Sequence, residues 1–105
     1  MYHWSQTIDD TTIIENKFID KIYRQATFLD GKPVKTAWGS GVAYGWETGI
    51  NSGLGKNRAK GGQFIGYMGT VFHFPESGIT MIVLSNVETD KFWGIGGKVF
   101  ECLDK

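Results

Sequence analysis

Glycine-flanked lysines, two histidines and a serine set between glycines are the residues of this sequence whose types point to chemistry. Backbone N–H groups in glycine-rich loops cradle anions, so the stretch from Gly49 to Gly55-Lys56 invites a phosphate-loop reading. The spacing argues against it, because one residue too many separates the glycines and Asn57 stands where a Mg²⁺-binding hydroxyl is needed. His3 and His73 lie far apart, with no acidic residue at metal-site spacing, and read as ordinary histidines. Ser40, in Trp38-Gly39-Ser40-Gly41, lacks the glycines two before and two after that a nucleophile elbow needs, and reads as a loop serine. The single cysteine, Cys102, excludes an intramolecular disulfide and a cysteine-cluster metal site. No metal or other cofactor is predicted.

Composition narrows the partners. Eleven Lys plus Arg balance eleven Asp plus Glu, so no global field draws the chain to nucleic acid. No apolar run approaches the roughly 18 residues of a membrane span, and Tyr2, His3 and Trp4 do not open a signal peptide. Hydrophobic residues at 41% supply enough apolar surface for a core, while fifteen glycines raise the backbone entropy that folding must overcome.

The elements that hold these residues follow from periodicity. Met1, Trp4 and Ile8 recur at helical spacing and stop at Asp9-Asp10-Thr11-Thr12, which predicts a short helix over 1–8 and then a turn. Thr11 or Thr12 is placed to cap a second helix over about residues 12–25, with Ile14, Phe18, Ile19, Ile22 and Tyr23 as its stripe. Val42 to Trp46 reads as a strand, Gly49 to Gly55 as a flexible connection, and residues 56–63 as a further strand. From Gly66 to Phe74, Tyr67, Val71 and His73 alternate with Met68, Phe72 and Phe74, and Pro75-Glu76-Ser77-Gly78 closes a hairpin. The return strand Ile79 to Leu84 is apolar on both faces, as an interior strand is. Thr89 or Asp90 caps a last helix whose stripe is Phe92, Ile95, Val99 and Leu103, flanked by Trp93 and Phe100. The expected class is α+β: one domain over 1–105, with a small antiparallel sheet of three to four strands packed with N-terminal helices and a C-terminal helix.

One run stands apart. Lys60-Gly61-Gly62-Gln63-Phe64-Ile65-Gly66-Tyr67 leads into a strand ending at Phe74-Pro75-Glu76, then into a strand ending at Leu84-Ser85-Asn86. This resembles the C-terminal part of serine β-lactamase and penicillin-binding-protein-like hydrolases, the class C-like members in particular. Those enzymes carry a Lys-Thr-Gly or His-Gly-Gly triplet beside the active site, then a Gly-aromatic pair, a strand ending in Pro and a strand ending in Leu-Ser/Thr-Asn. Lys60-Gly61-Gly62 occupies the triplet position, and Gly66-Tyr67 and Pro75 fall where class C-like members put theirs. Tyr44-Gly45-Trp46 looks like the family's Tyr-Gly-x-Gly-Trp strand in compressed form, Met1 to Ser5 resembles the helix after its second motif, and Phe92-Trp93 onward its terminal helix.

The resemblance implies a partial β-lactamase-like fold, with Lys60 as an assisting catalytic cation and Gly61, Gly62 and Gln63 as substrate-binding positions. A cation beside a nucleophile stabilises developing negative charge and lowers neighbouring pKa values, and glycine lets a substrate backbone approach closely. Gly61 stands where Lys-Thr-Gly enzymes have a hydroxyl, so esterase or peptidase activity fits as well as β-lactam hydrolysis. The family's nucleophile motif, Ser-x-x-Lys, is missing: three residues after Ser5, Ser40, Ser52, Ser77 and Ser85 stand Ile8, Ala43, Gly55, Thr80 and Glu88. Tyr-x-Asn is missing too, with Trp4, Gln25, Trp46 and Gly69 two residues after the four tyrosines.

The expectation is therefore a C-terminal portion of such a hydrolase, inactive alone. Its partners are the N-terminal part of the parent and, in that parent, a small-molecule or peptide substrate: a β-lactam, a D-amino-acid peptide or an ester. Without the family's neighbouring strand, Ile79 to Leu84 becomes an apolar edge, and the expectation is an edge-strand homodimer, a rearrangement of the strands or an edge hidden under a helix. The alternative from another class is a stand-alone binding module that uses Trp38, Tyr44 and Trp46 as a ligand surface. For Lys60 itself the plain alternative is a solvated basic cluster with Lys56 and Arg58.

Overall fold

A computed structural model of the chain describes residues 1–103. The elements run α1 (Tyr2–Ile8), α2 (Asn16–Tyr23), β1 (Gly41–Val42), β2 (Glu47–Asn51), β3 (Gly55–Phe64), β4 (Tyr67–Phe74), β5 (Ile79–Ser85) and α3 (Lys91–Leu103). The class is α+β, with three helices among the described residues and one antiparallel sheet in the order β1-β2-β3-β4-β5.

The sheet has five strands instead of three to four, because two segments behave differently from their local reading. Val42 to Trp46 is not one strand: Ala43 N–H donates to the Trp46 carbonyl at 2.8 Å, and Gly45, at φ 73°, turns the chain back on itself. Gly49 lies inside β2 opposite Asn57, not in a flexible connection. The connection shrinks to a tight turn in which the Asn51 side-chain oxygen accepts the N–H groups of Gly53 and Leu54, each at 2.9 Å.

The helix boundaries also shift. Thr12 caps nothing, since its N–H and hydroxyl both donate to Asp10 Oδ1, at 2.8 and 2.6 Å. That local turn competes with a helix start, so α2 begins at Asn16 with Glu15 before it. Thr89 does open α3: its carbonyl accepts Phe92 N–H at 3.1 Å and its hydroxyl accepts Lys91 N–H at 3.3 Å.

The two faces of the sheet carry different cores. On one, Ala43, Trp46 and Val71 are packed by Ile8 of α1, Ile22 and Tyr23 of α2, and Ile82. Trp46 is sandwiched there, stacked on Trp4 at 5.5 Å between ring centres and met edge-on by Tyr23. On the other face, Phe100 of α3 meets Phe72 and Phe74 edge-to-face at 5.2 and 5.4 Å. The buried stripe of α3 is Phe92, Gly96 and Phe100, spaced four apart, whereas Ile95, Val99 and Leu103 point outward. Gly96 lets α3 approach the sheet closely in this orientation, since a Cβ there would stand 3.3 Å from Met81 Cε.

β5 pairs with β4 from Ile79↔Phe74 to Ser85↔Met68 and forms the sheet edge. Its apolar sequence had pointed to an interior strand; helix cover buries Met81 but leaves Leu84 exposed. Among the described residues no helix is long and apolar enough to cross a membrane.

Candidate functional site

Strand alternation divides the triplet segment of β3 between the two faces of the sheet. The register Lys60↔Val71 and Gly62↔Gly69 puts Lys60 and Gly62 on the side covered by α1 and α2. Gly61 and Gln63 face the α3 side, where a Cβ at Gly61 would lie 3.2 Å from Trp93 Cη2. The Gln63 amide is engaged there by the Glu88 carboxylate. The four residues expected at one substrate site are thus split in pairs.

Lys60 is exposed and has no ion-pair partner among the described residues. Its carbonyl accepts the Thr70 hydroxyl at 3.4 Å, which ties β3 to β4 beneath it. Gly62 is open, with no heavy atom within 4 Å of a Cβ built on it. Beside it lies a groove of about 760 Å³ lined by Gly62, Gln63, Tyr67, Gly69, Leu84 and Asn86. A cation followed by an open glycine and a shallow, largely apolar groove suits a ligand that presents an anionic or carbonyl oxygen above an extended backbone. A second cleft, of about 790 Å³, lies at the other end of β3, where Lys35, Thr48, Lys56 and Arg58 line it; Lys60 does not.

The groove has no activated nucleophile of its own. Ser85 donates to the Val87 carbonyl at 2.8 Å and accepts Val87 N–H at 3.1 Å. Ser5 and Ser77 likewise donate to backbone carbonyls, of Tyr2 and Leu54. Among the described residues no serine hydroxyl is hydrogen-bonded to a lysine, a histidine or a carboxylate, the partners that raise its nucleophilicity.

One polar cluster is visible only in three dimensions. Asp9 Oδ2 lies 2.6 Å from His73 Nε2, its Oδ1 takes the Arg58 guanidinium, and His73 Nδ1 lies 2.8 Å from Thr80 Oγ1. The carboxylate–imidazole–hydroxyl order matches a catalytic relay in connectivity. His73 is buried, however, and neither it nor Thr80 lines either cleft. His73 had read as an ordinary histidine because its partner is 64 residues away in sequence.

The aromatic surface of the binding-module alternative is also divided. Trp38 and Tyr44 are exposed, Trp38 Nε1–H donating to Glu47 at 2.7 Å, whereas Trp46 belongs to the core. Cys102 is exposed. Among the described residues no three His, Cys, Asp or Glu side chains converge on a point where an ion would sit. No family model matches the chain, and no curated protein or solved structure matches it.

Proposed function

We propose that this chain is the C-terminal part of a β-lactamase and penicillin-binding-protein-like serine hydrolase, and that its sheet is a partial fold of that family. In this reading β3 is the strand beside the active site of a longer parent, whose N-terminal part supplies the acylated serine and its base. Lys60 assists by stabilising negative charge on the substrate, Gly62 lets the substrate backbone lie close to the strand, and the chain alone hydrolyses nothing.

The observation that carries the reading is the pairing of an exposed Lys60 with an open Gly62 on one face of β3, next to the groove. A second supports it: Phe64, Ile65, Tyr67, Leu84 and Val87 are all exposed around that end of the sheet, an apolar surface suited to a protein partner. Gly61 departs from the Lys-Thr-Gly pattern. It has no hydroxyl with which to recognise a substrate carboxylate, and Trp93 Cη2 lies 3.2 Å from where a Cβ would stand, so an ester or a peptide fits as well as a β-lactam. The β5 edge is where a strand of the N-terminal part adds, and in the isolated chain a second copy takes its place.

The test is made on the product of the whole reading frame. Ser-x-x-Lys followed by Tyr-x-Asn is expected upstream in frame, together with covalent labelling by a fluorescent penicillin or an activated ester. Lys60→Ala is expected to lower acylation at least about tenfold with an unchanged melting temperature. Absence of both motifs, or undiminished labelling of the variant, overturns the assignment. Reversible ligand binding without covalent change, abolished by Trp38→Ala or Tyr44→Ala, would establish the binding module in its place.

A further inference from the structure

The helix α1 is fastened to the sheet through one carboxylate. Asp9, the C-cap of α1, holds Arg58 of β3 and His73 of β4. One turn earlier, the Gln6 amide donates to Thr80 Oγ1 of β5 at 3.2 Å, and the same hydroxyl lies against His73 Nδ1. From α2, the ring of Tyr23 lies under the Arg58 guanidinium, whose carbon is 3.6 Å from the ring centre. Lys56 and Lys60 flank Arg58 on the same face of β3. Asp20 of α2 lines the cleft beside Arg58 but makes no ion pair with it. Burial, then the charge of Asp9, push the Tyr23 hydroxyl up to about 12, so it stays neutral in acid. Asp9 is thus the anion that the cations Arg58 and, when protonated, His73 share.

We propose that this network is an acid-released latch: protonation of Asp9 frees α1 from the sheet while the sheet stays folded, uncovering His73 and the Trp46–Val71 core on which Ile8 packs. A proton on His73 alone leaves the arrangement intact, because a second cation then faces the carboxylate and the Thr80 hydroxyl turns to accept. A proton on Asp9 removes the shared anion and leaves two cations facing one another in a partly desolvated site. Little else holds the helix. α1 has seven residues, far below the roughly 12–15 at which isolated helices persist in water. Its Tyr2 and Trp4 are about half exposed, leaving the Trp4–Trp46 stack and Ile8 as its apolar attachments. The strands β3, β4 and β5 are joined by long ladders that do not involve α1. The latch stands on the geometry alone and does not depend on the hydrolase reading.

Hydrogen exchange on the full chain, corrected for intrinsic rates, tests it. Between about pH 7 and about pH 2.5, a range that extends well below the ordinary carboxylate value, protection of Tyr2–Ile8 is expected to fall at least about tenfold while β3–β5 keep theirs. Asp9→Asn, which is neutral at every pH, is expected to show the low protection of α1 already at neutral pH and no acid step. His73→Gln, which leaves Asp9 facing Arg58, is expected to keep the step. Loss of α1 protection only together with the strands overturns the latch. So does an acid step retained in Asp9→Asn; should that variant fail to fold, disappearance of the step in His73→Gln overturns the assignment to Asp9.

Discussion

On the α3 side of the sheet the indole edge of Trp93 lies over Gly61, its Cη2 3.2 Å from where a Cβ at position 61 would stand. A residue that reads as one member of a binding triplet is, in the folded chain, the floor on which the terminal helix rests. Gly61→Thr, which restores the Lys-Thr-Gly pattern, is expected to cost about 1 kcal/mol through overpacking, partly offset by better strand propensity. The loss should vanish in a Trp93→Ala background, read by urea unfolding in a double-mutant cycle. An equal loss with and without Trp93 would show that the contact is not its cause.

The tryptophans separate core from surface. Trp46→Ala is expected to destabilise the chain by about 3–5 kcal/mol, since it removes the ring between Trp4 and Tyr23. Trp38→Ala removes an exposed ring and should stay within about 0.5 kcal/mol. Denaturant midpoints measure both.

Alkaline stability should report on Tyr23. Its hydroxyl is raised from 10.0 to about 12 in the folded chain, chiefly by burial and then by the Asp9 charge, with Arg58 opposing. The folded state therefore holds this proton more tightly than the unfolded state does. The resulting stability is complete below the unfolded value and is lost as pH rises from about 10 to about 12. Melting temperatures across that window should fall more steeply for the native sequence than for Tyr23→Phe, and the phenolate absorbance of one tyrosine should appear late. Identical slopes would remove Tyr23 as the source.

The β5 edge predicts concentration-dependent association. The strand Ile79–Ser85 contains no charge and no proline, the devices by which edges are protected. Sedimentation of the isolated chain is expected to show dimers, and Leu84→Lys, at an exposed position of that edge, is expected to shift them to monomer with the fold kept. A monomer at all concentrations, or a dimer indifferent to Leu84→Lys, would locate any association elsewhere.

Much of the architecture is legible along the chain because it is local. The Met1, Trp4 and Ile8 spacing marks α1, the Tyr67 to Phe74 alternation marks β4, and the Pro75 to Gly78 turn joins it to β5. Local reading fails where two short signals compete. Val42 to Trp46 has strand-forming residues, but Gly45 and one backbone hydrogen bond turn it into a corner, which creates β1 and β2. The apolar stripe of α3 misleads for another reason: of its expected row only Phe92 is buried, and the helix turns Gly96 and Phe100 to the sheet beside it, the missing side chain at Gly96 leaving room for Met81.

The sequence by itself determined the α+β class and the order of the three helices and of the strands β3, β4 and β5, because hydrophobic period and turn chemistry act over a few residues. Only the tertiary structure decided which face each residue of β3 shows, since the pairing of β3 with β4 sets the register from outside the segment. It alone also brought Asp9 to His73 and Arg58, because an ion pair spanning 64 residues leaves no periodic trace in the chain and forms only when α1 folds back over the sheet.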